Sequence, residues 1–592
     1  MTNNMDINDM RRMRRMSENA RNAEASQRYM RQNAGPNRLG TGHSTRDTGM
    51  SRGSFLRGAG VLGGAVAAAG LGWGGVARAT WVPDSTDIVI KVTDSNGDPT
   101  EIWIYPSGPD LSGTAGTTLF PHPLNGTAPL NTHGPNLGLL GTAQITLDAL
   151  HVQLAMLNAA SGATIRLKST TSPTTSPTNP TPNMPAEFRF GVVSGPGGSF
   201  GVRITKDVNI IGDTNSDGTP ATVIVGGMVP IGCSLPKNLT ANCLTALPPG
   251  PVIEIKNISF KNYLRFLNAF QNKVGISIQY TNGATIENCK LEIADFPPFL
   301  PASIPGVGAF GIVFNHTNPW NPGTSIPVHS TCEPINILHN HFIGTNTAAG
   351  ITVVYFFPNN CPVYTVSGNT IELDNSAFPP GNDYGAINFY GNVKNAICND
   401  NTILGSAEVG LSLLRIVLPS GPAYPENCSF SGNIASDFYA KSNQVFIGPY
   451  SYHNIFIGNK FGIAGQSQVL CYGNGNYFGY DPDTQTANPN IFGPLSSPPK
   501  ANSARITVDG YDNTFFKDIY IGDAQPWEEG HGVWLMGPHT SGNNVICPDV
   551  QFELKHGFGT LKDYWKDQSG YNKICCSYPD YDTSIEDCPP EY

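Results

Sequence analysis

One asparagine returns through the second half of this chain at a nearly fixed interval. It stands at Asn340 in "INILHNHF", Asn369 in "YTVSGNTI", Asn401 in "NAICNDNTI", Asn433 in "CSFSGNIA" and Asn459 in "NIFIGNKF". The spacings are 29, 32, 32 and 26 residues. A polar pivot with strand-like alternation on both sides, repeated at such a period, marks a stack of coils in which each covers the hydrophobic face of the last. A second segment repeats in phase: "GISIQY" (275–280), "GIVFNH" (311–316), "GITVVY" (350–355), "GAINFY" (385–390) and "GLSLLR" (410–415) each read as an alternating strand. The low charged fraction of 14%, with 66 Gly and 48 Pro, suits turn-rich β structure.

A Gly-initiated strand, a turn and then I-x-x-N-x-I resembles the right-handed parallel β-helix of the pectate lyase type, over about residues 250–480. The resemblance implies an all-β fold with three strands per coil and the Asn at the tight turn between the second and third. There an Asn tolerates left-handed backbone, and stacked Asn side chains can hydrogen-bond from coil to coil. Ile258 and Cys289 take the equivalent place in earlier coils, so the ladder is expected to be incomplete there. Residues 145–169 have helical spacing followed by Gly and a short strand, which predicts an N-terminal helix capping the open end of the solenoid.

The expected organisation has five parts. Residues 1–49 form a polar head without apolar periodicity, read as disordered or untranslated. Residues 50–79 have a basic start, an apolar run and the small-residue site Ala77-Arg78-Ala79, the layout of an export signal. "SRGSFLRG" resembles a twin-arginine signal with Gly53 in place of the second Arg. Residues 80–140 are a β-rich segment, 141–545 the parallel β-helix and 546–592 a Cys-containing tail without strand period. The expected location is secreted, periplasmic or cell-surface, with no stable membrane span once the signal is removed.

Residues 1–79 hold twelve of the 35 Lys and Arg and only five of the 45 Asp and Glu, so the remainder is more acidic than the full chain's net −10. That argues against nucleic acid as a partner, which calls for basic stripes, and against polyanionic substrates unless calcium or a local basic site offsets the charge. All twelve Cys lie in the exported part, where disulfides can form. Cys332 and Cys361 each lie eight residues before a pivot, so stacking brings them within disulfide reach, and Cys233 and Cys243 are expected to close a loop. No C-x-x-C pair supports a metal site, and calcium is the one cofactor left open.

Alternation places Asn388 and Tyr390 on the outward face of the first sheet, with Ser277, Gln279, Asn315, Thr352 and Ser412. Tyr450, Tyr452 and His453 follow one coil on, and "VLCYGN" adds Tyr472. Amides beside rings suit sugar recognition, because pyranose faces stack on rings while hydroxyls pair with amides; they also suit an ordinary wet sheet. Asp383, Glu408 and Arg415 are the candidate catalytic residues, two carboxylates and a cation that could divide acid, base and charge-stabilising roles, or else form a surface ion-pair group. Arg415 is the only Arg between residues 266 and 504.

Other signatures are partial. "GHG" at 530–532 resembles a polygalacturonase motif, but no Asp-Asp dipeptide occurs anywhere in the chain. "YFGYDPD" (477–483) resembles the Y-G-x-D-P-H-D signature of alginate epimerases with Asp483 where the family has His, and both are taken as chance. In "HNH" at 339–341 the central Asn is the pivot, which separates the two His directions. The expectation is therefore a polysaccharide-binding protein, a candidate for polysaccharide lyase or glycoside hydrolase chemistry along the first sheet. The alternative is a noncatalytic structural or adhesion rod.

Overall fold

In the computed structural model the described residues are 89–93, 99–106, 119–121, 144–171, 185–190, 192–193, 202–204, 206–226, 232–233, 251–262, 273–279, 281, 283–293, 309–316, 334–345, 349–355, 363–375, 385–418, 421–496, 504–521, 531–535, 544–546, 549–551, 565–567 and 573–575. Residues 1–79, read from the sequence as a polar head and an export signal, lie outside them, as do Asp383, Cys243, Cys332 and Cys361.

Each coil contributes three strands, and each strand pairs in parallel with its counterpart in the next coil. One coil runs Ala349–Tyr355, Tyr364–Ser367 and Thr370–Asp374, and the next begins at Gly385–Gly391. In the first sheet the inward residues stack as Ile351, Ile387 and Leu411, then Val445, Val469 and Ile506. In the second, Ile286, Ile337, Val366, Cys398, Phe430, Phe456, Phe478 and Phe515 do the same. These rows are buried and belong to one core running along the stack. The architecture is a right-handed parallel β-helix, the hand that parallel crossovers adopt.

The last four residues of the second-sheet row form a ring stack. Centroids lie 4.6 Å apart for Phe430–Phe456 and 4.7 Å for both Phe456–Phe478 and Phe478–Phe515, with interplanar angles of 7°, 7° and 15°. The separations match the spacing of adjacent strands, so stacking follows from putting one residue type at one register position.

The Asn ladder forms, and it extends further than the sequence pattern. Asn369 Oδ1 accepts from Asn340 N at 2.9 Å and Nδ2 at 3.0 Å, Asn401 Oδ1 from Asn369, Asn433 Oδ1 from Asn401 and Asn459 Oδ1 from Asn433. Asn490 and then Asp518 continue it. Cys289 stands at the upstream end, its N–H donating to Asn340 Oδ1 at 2.9 Å. The left-handed backbone, however, falls on the residue before each rung: His339 (φ 54), Gly368 (63), Asp400 (54), Gly432 (64) and Gly458 (63). Asn is selected for its side-chain bonds, because a donor and an acceptor on one short arm let each rung accept from one neighbour and donate to the other.

A second ladder runs along the opposite end of the second-sheet strands. Asn454 Oδ1 accepts from Cys428 N, Asn476 Oδ1 from Asn454 N and Nδ2, and Asn513 Oδ1 from Asn476 N and Nδ2. Here too the preceding residues are left-handed: Asn427, His453, Gly475 and Asp512.

Helix Leu147–Asn158 forms where the 3.6-residue pattern predicts. Its Ala149, Val152, Ala155 and Met156 are buried in the solenoid core, and Asp148 Oδ2 accepts from Arg189 N at 2.7 Å, tying the helix to strand Glu187–Phe190. Strand pairing also runs beyond residues 141–545 at both ends. Strands Val89–Thr93 and Pro99–Ile104 add to the second sheet through Ala163–Leu167, so part of 80–140 belongs to the stack. At the other end Trp565–Asp567 pairs with His531–Leu535 and Lys573–Cys575 with Asn544–Ile546, so pairing passes residue 545. Strands of three residues are too short to show a period of two in the sequence.

The four cysteines described as free, Cys289, Cys398, Cys428 and Cys471, are buried thiols rather than cross-links. Burial pushes the thiols of Cys289, Cys428 and Cys471 up to about 12 and that of Cys398 higher still. They occupy core and ladder positions, where a small apolar side chain packs well. Cys233 lies in the two-residue strand Gly232–Cys233, paired with Arg203–Ile204.

Candidate functional site

Alternation places a row of first-sheet residues outward, and its members Thr352, Asn388, Tyr390 and Ser412 are buried. Asn388 and Tyr390 are 0% and 2% exposed. Asn388 is occupied internally, donating Nδ2–H to Gly385 O at 2.6 Å and accepting at Oδ1 from Gly385 N at 2.9 Å and Ser412 Oγ at 2.5 Å. Tyr390 packs with Leu414, Ala423 and Phe446 in a second apolar cluster that Val409, Leu470 and Tyr472 join. The hairpin Ile416–Leu418 with Gly421–Ala423 supplies part of that cover. Neither Asn388 nor Tyr390 meets solvent as a sugar-binding residue would, because the outward row turns apolar at Leu414, Phe446 and Leu470. Tyr472 sits at the cluster's rim, half-buried, its ring 6.0 Å edge-on from Phe446.

Asp383 lies outside the described residues, and Glu408 and Arg415 stand apart along one strand. Glu408 lies at the bulge between the two halves of strand Thr402–Leu414, where the register shifts between Ala407 and Val409. Arg415 follows the far end of that strand, and seven residues at about 3.3 Å each put roughly 20 Å between them. Lys441 belongs to the Glu408 end, where its Nζ donates to Asn375 O. Arg415, Tyr450 and His453 share the other end.

At that end the structure assembles a corner of rings and charges. The Arg415 guanidinium carbon lies 5.3 Å from the Tyr450 ring centroid. Tyr450 stacks on Tyr424 at 6.2 Å and 26°, Tyr424 meets Tyr452 edge-on at 5.5 Å, and Tyr452 meets His453 at 4.8 Å. The Tyr452 hydroxyl donates to Glu426 Oε1, and Glu426 Oε2 pairs with Lys394 Nζ at 2.8 Å. Tyr424, Tyr450 and Tyr452 are half-buried and His453 is exposed. Burial first and the Glu426 carboxylate second push the Tyr424 and Tyr452 phenols up, with the Tyr452–Glu426 bond adding to the effect at Tyr452. Both hydroxyls therefore stay protonated at neutral pH, able to donate as well as accept.

Tyr450 is held at φ 71. Among the described non-Gly residues with positive φ, only Tyr450 and Gln485 fall outside the positions that precede the two ladders. A bulky side chain in the left-handed region is costly, and such residues concentrate where a surface must present a particular side chain.

Tyr424, Glu426 and Lys394 were not singled out in the sequence. The signal was available in the second ladder, since Lys394, Glu426 and Tyr452 bridge one another in parallel two residues before Ala396, Cys428 and Asn454. Of the weaker motifs, His341 pairs with Glu372 at 2.8 Å while His339 lies in the turn against Gly368. Asp481 accepts from the amides of Asp483 and Thr484 in an exposed hairpin. Among the described residues there is no group of three or more His, Cys, Asp and Glu side chains that could hold a metal ion. No helix among them is long and apolar enough to cross a membrane.

No protein-family model matches the chain, and no curated protein matches it. Among solved structures, the Azotobacter vinelandii mannuronan C-5 epimerase AlgE6 A-module is similar at 13% identity, covering 73% of this chain and 96% of that one, with a TM-score of 0.45. The periplasmic alginate epimerase AlgG is similar at 11%, covering 66% and 84%, with a TM-score of 0.28. A tailspike protein of E. coli bacteriophage HK620 is similar at 11%, covering 72% and 74%, with a TM-score of 0.33. Likenesses of this depth carry no inference about activity or ligand.

Proposed function

We propose that this chain is an exported β-helix protein that binds a polysaccharide at the corner formed by Arg415, Tyr424, Tyr450, Tyr452 and His453. The observation that carries the reading is the run of ring contacts from Arg415 through Tyr450 and Tyr424 to Tyr452 and His453. Half-exposed rings offer faces and edges to pyranose carbons, while the phenols, the guanidinium and the Glu426–Lys394 pair offer hydrogen bonds to hydroxyls. The left-handed Tyr450 supports the same reading, because a bulky side chain is costly in a backbone region that Gly fills without strain. In this reading helix Leu147–Asn158 caps the amino-terminal end of the core.

The noncatalytic rod is the second reading, favoured by the scatter of ion pairs along the solenoid. Arg166–Glu101, Lys168–Asp213, Lys256 with Glu254 and Glu287, and His341–Glu372 lie on different coils, each partly exposed. Pairs of that kind add little and define no groove. Cleavage adds one requirement, a carboxylate within reach of the sugar held at the corner, and Glu426 is the nearest candidate.

The test incubates residues 80–592 with xylan, β-glucan, pectin and alginate, with and without calcium. Retention, reducing ends and unsaturated uronate absorbance are followed together. Retention that falls at least tenfold in Arg415→Ala supports the binding site, and product that disappears in Glu426→Gln supports cleavage. Retention unchanged in Arg415→Ala would remove the corner from the account, and no retention by any polysaccharide would leave the rod.

A further inference from the structure

Every rung of the first ladder makes the same set of bonds until the last. Each Oδ1 accepts from the preceding rung, and each Nδ2–H donates both to the next Oδ1 and to a second-sheet carbonyl one coil back. Asn401 donates to Val366 O, Asn433 to Cys398 O, Asn459 to Phe430 O and Asn490 to Phe456 O, at 2.8–3.0 Å. Asp518 keeps the accepting half: its Oδ1 takes Asn490 N at 2.9 Å and Nδ2 at 3.0 Å. Its Oδ2 stands where an Asn would carry Nδ2. Phe478 pairs with Phe456, so the carbonyl equivalent to the earlier acceptors is that of Phe478.

Asp518 is 1% exposed, and its Oδ2 is buried without a hydrogen-bond partner. An ionised oxygen facing a carbonyl oxygen in a dry interior is repelled, whereas a carboxylic O–H there has an acceptor waiting.

We infer that Asp518 is a neutral carboxylic acid in the folded protein, its Oδ2–H donating to the Phe478 carbonyl oxygen, so that the last described rung of the ladder makes its donating bond only while protonated.

The surroundings agree. Burial is the largest influence and pushes this carboxyl up to about 7, against the lowering effect of the two Asn490 bonds. Lys517, next in the chain, lies with Nζ 5.1 Å from the Phe516 ring centroid. From the preceding coil Tyr480 meets Phe516 at 5.4 Å, and in the following coil Asp549 opens the strand paired with Ile519. The sign follows from linkage. The folded state holds its proton to a higher pH than the unfolded state, whose carboxyl has the ordinary value of 3.8. The stability due to this proton is complete below about 3.8, falls as pH rises and is gone above about 7.

Asp518→Asn puts an amide where the acid stands and so completes the ladder without a titrating group. We expect the urea midpoint of the full chain to fall between pH 5 and pH 8, and the Asp518→Asn midpoint to fall less and to be at least as high at pH 8. Infrared spectra should show a buried carboxylic C=O band at pH 6 that fades through about pH 7 and is missing in the variant. Equal pH dependence in both proteins, a variant less stable at pH 8, or no such band in the wild type would overturn the inference. An Asp518→Asn chain that does not fold would count against it as well, since an amide fits every other rung.

Discussion

The two ends of each second-sheet strand look alike in sequence, turns rich in Asn, Gly and His, yet near Arg415 they do different work. At the first ladder the polar side chains are almost fully buried and bonded to one another along the stack. At the Arg415 corner, beside the second ladder, the polar groups sit on rings and reach solvent, and two of them, Tyr450 and His453, are held in left-handed backbone. The difference separates a polar residue that builds the fold from one that faces outward. A buried amide with every bond made is structural, while a half-exposed ring held at a strained φ is available to a partner.

That contrast can be broken by substitution. Phe456→Ala removes the ring stacked between Phe430 and Phe478 and should cost about 4 kcal/mol, read as a lower urea midpoint. Asn401→Ala removes the acceptor of two Asn369 bonds and the donor to Asn433 and Val366, leaving buried groups unpaired. It should cost about 3 kcal/mol by the same measurement, and neither variant should alter glycan retention while folded. Tyr450→Gly relieves the positive φ, so its midpoint should stay within about 1 kcal/mol of wild type or rise, while retention falls at least tenfold. Lys394→Ala breaks a pair whose lysine is 39% exposed, and should cost no more than about 1 kcal/mol, less in high salt, by midpoints at two ionic strengths.

Much of the fold was legible because a stacked coil repeats its constraints. Each pivot Asn needs an Asn above and below it, so the sequence repeats the residue and the period shows. The second ladder was missed because only Asn454, Asn476 and Asn513 carry it, with Cys428 and Ala396 at the earlier positions. The carboxyl-terminal strands carry three residues each, too few for a readable alternation. The site was legible only in part. Arg415, Tyr450 and His453 come together as adjacent turns predict, but the burial of Asn388 and Tyr390 depends on a covering hairpin that the repeat does not contain. Glu408 and Arg415 drew together on paper because sequence distance hides the length of an extended strand.

The most direct test of the central claim is retention of the polysaccharide panel by Tyr450→Gly, with Lys460→Ala, an exposed third-sheet residue, as the control. The account predicts that Tyr450→Gly keeps the wild-type thermal midpoint and loses at least tenfold in retention, while Lys460→Ala keeps both. Wild-type retention by folded Tyr450→Gly would contradict it, and would make the corner another part of the scaffold.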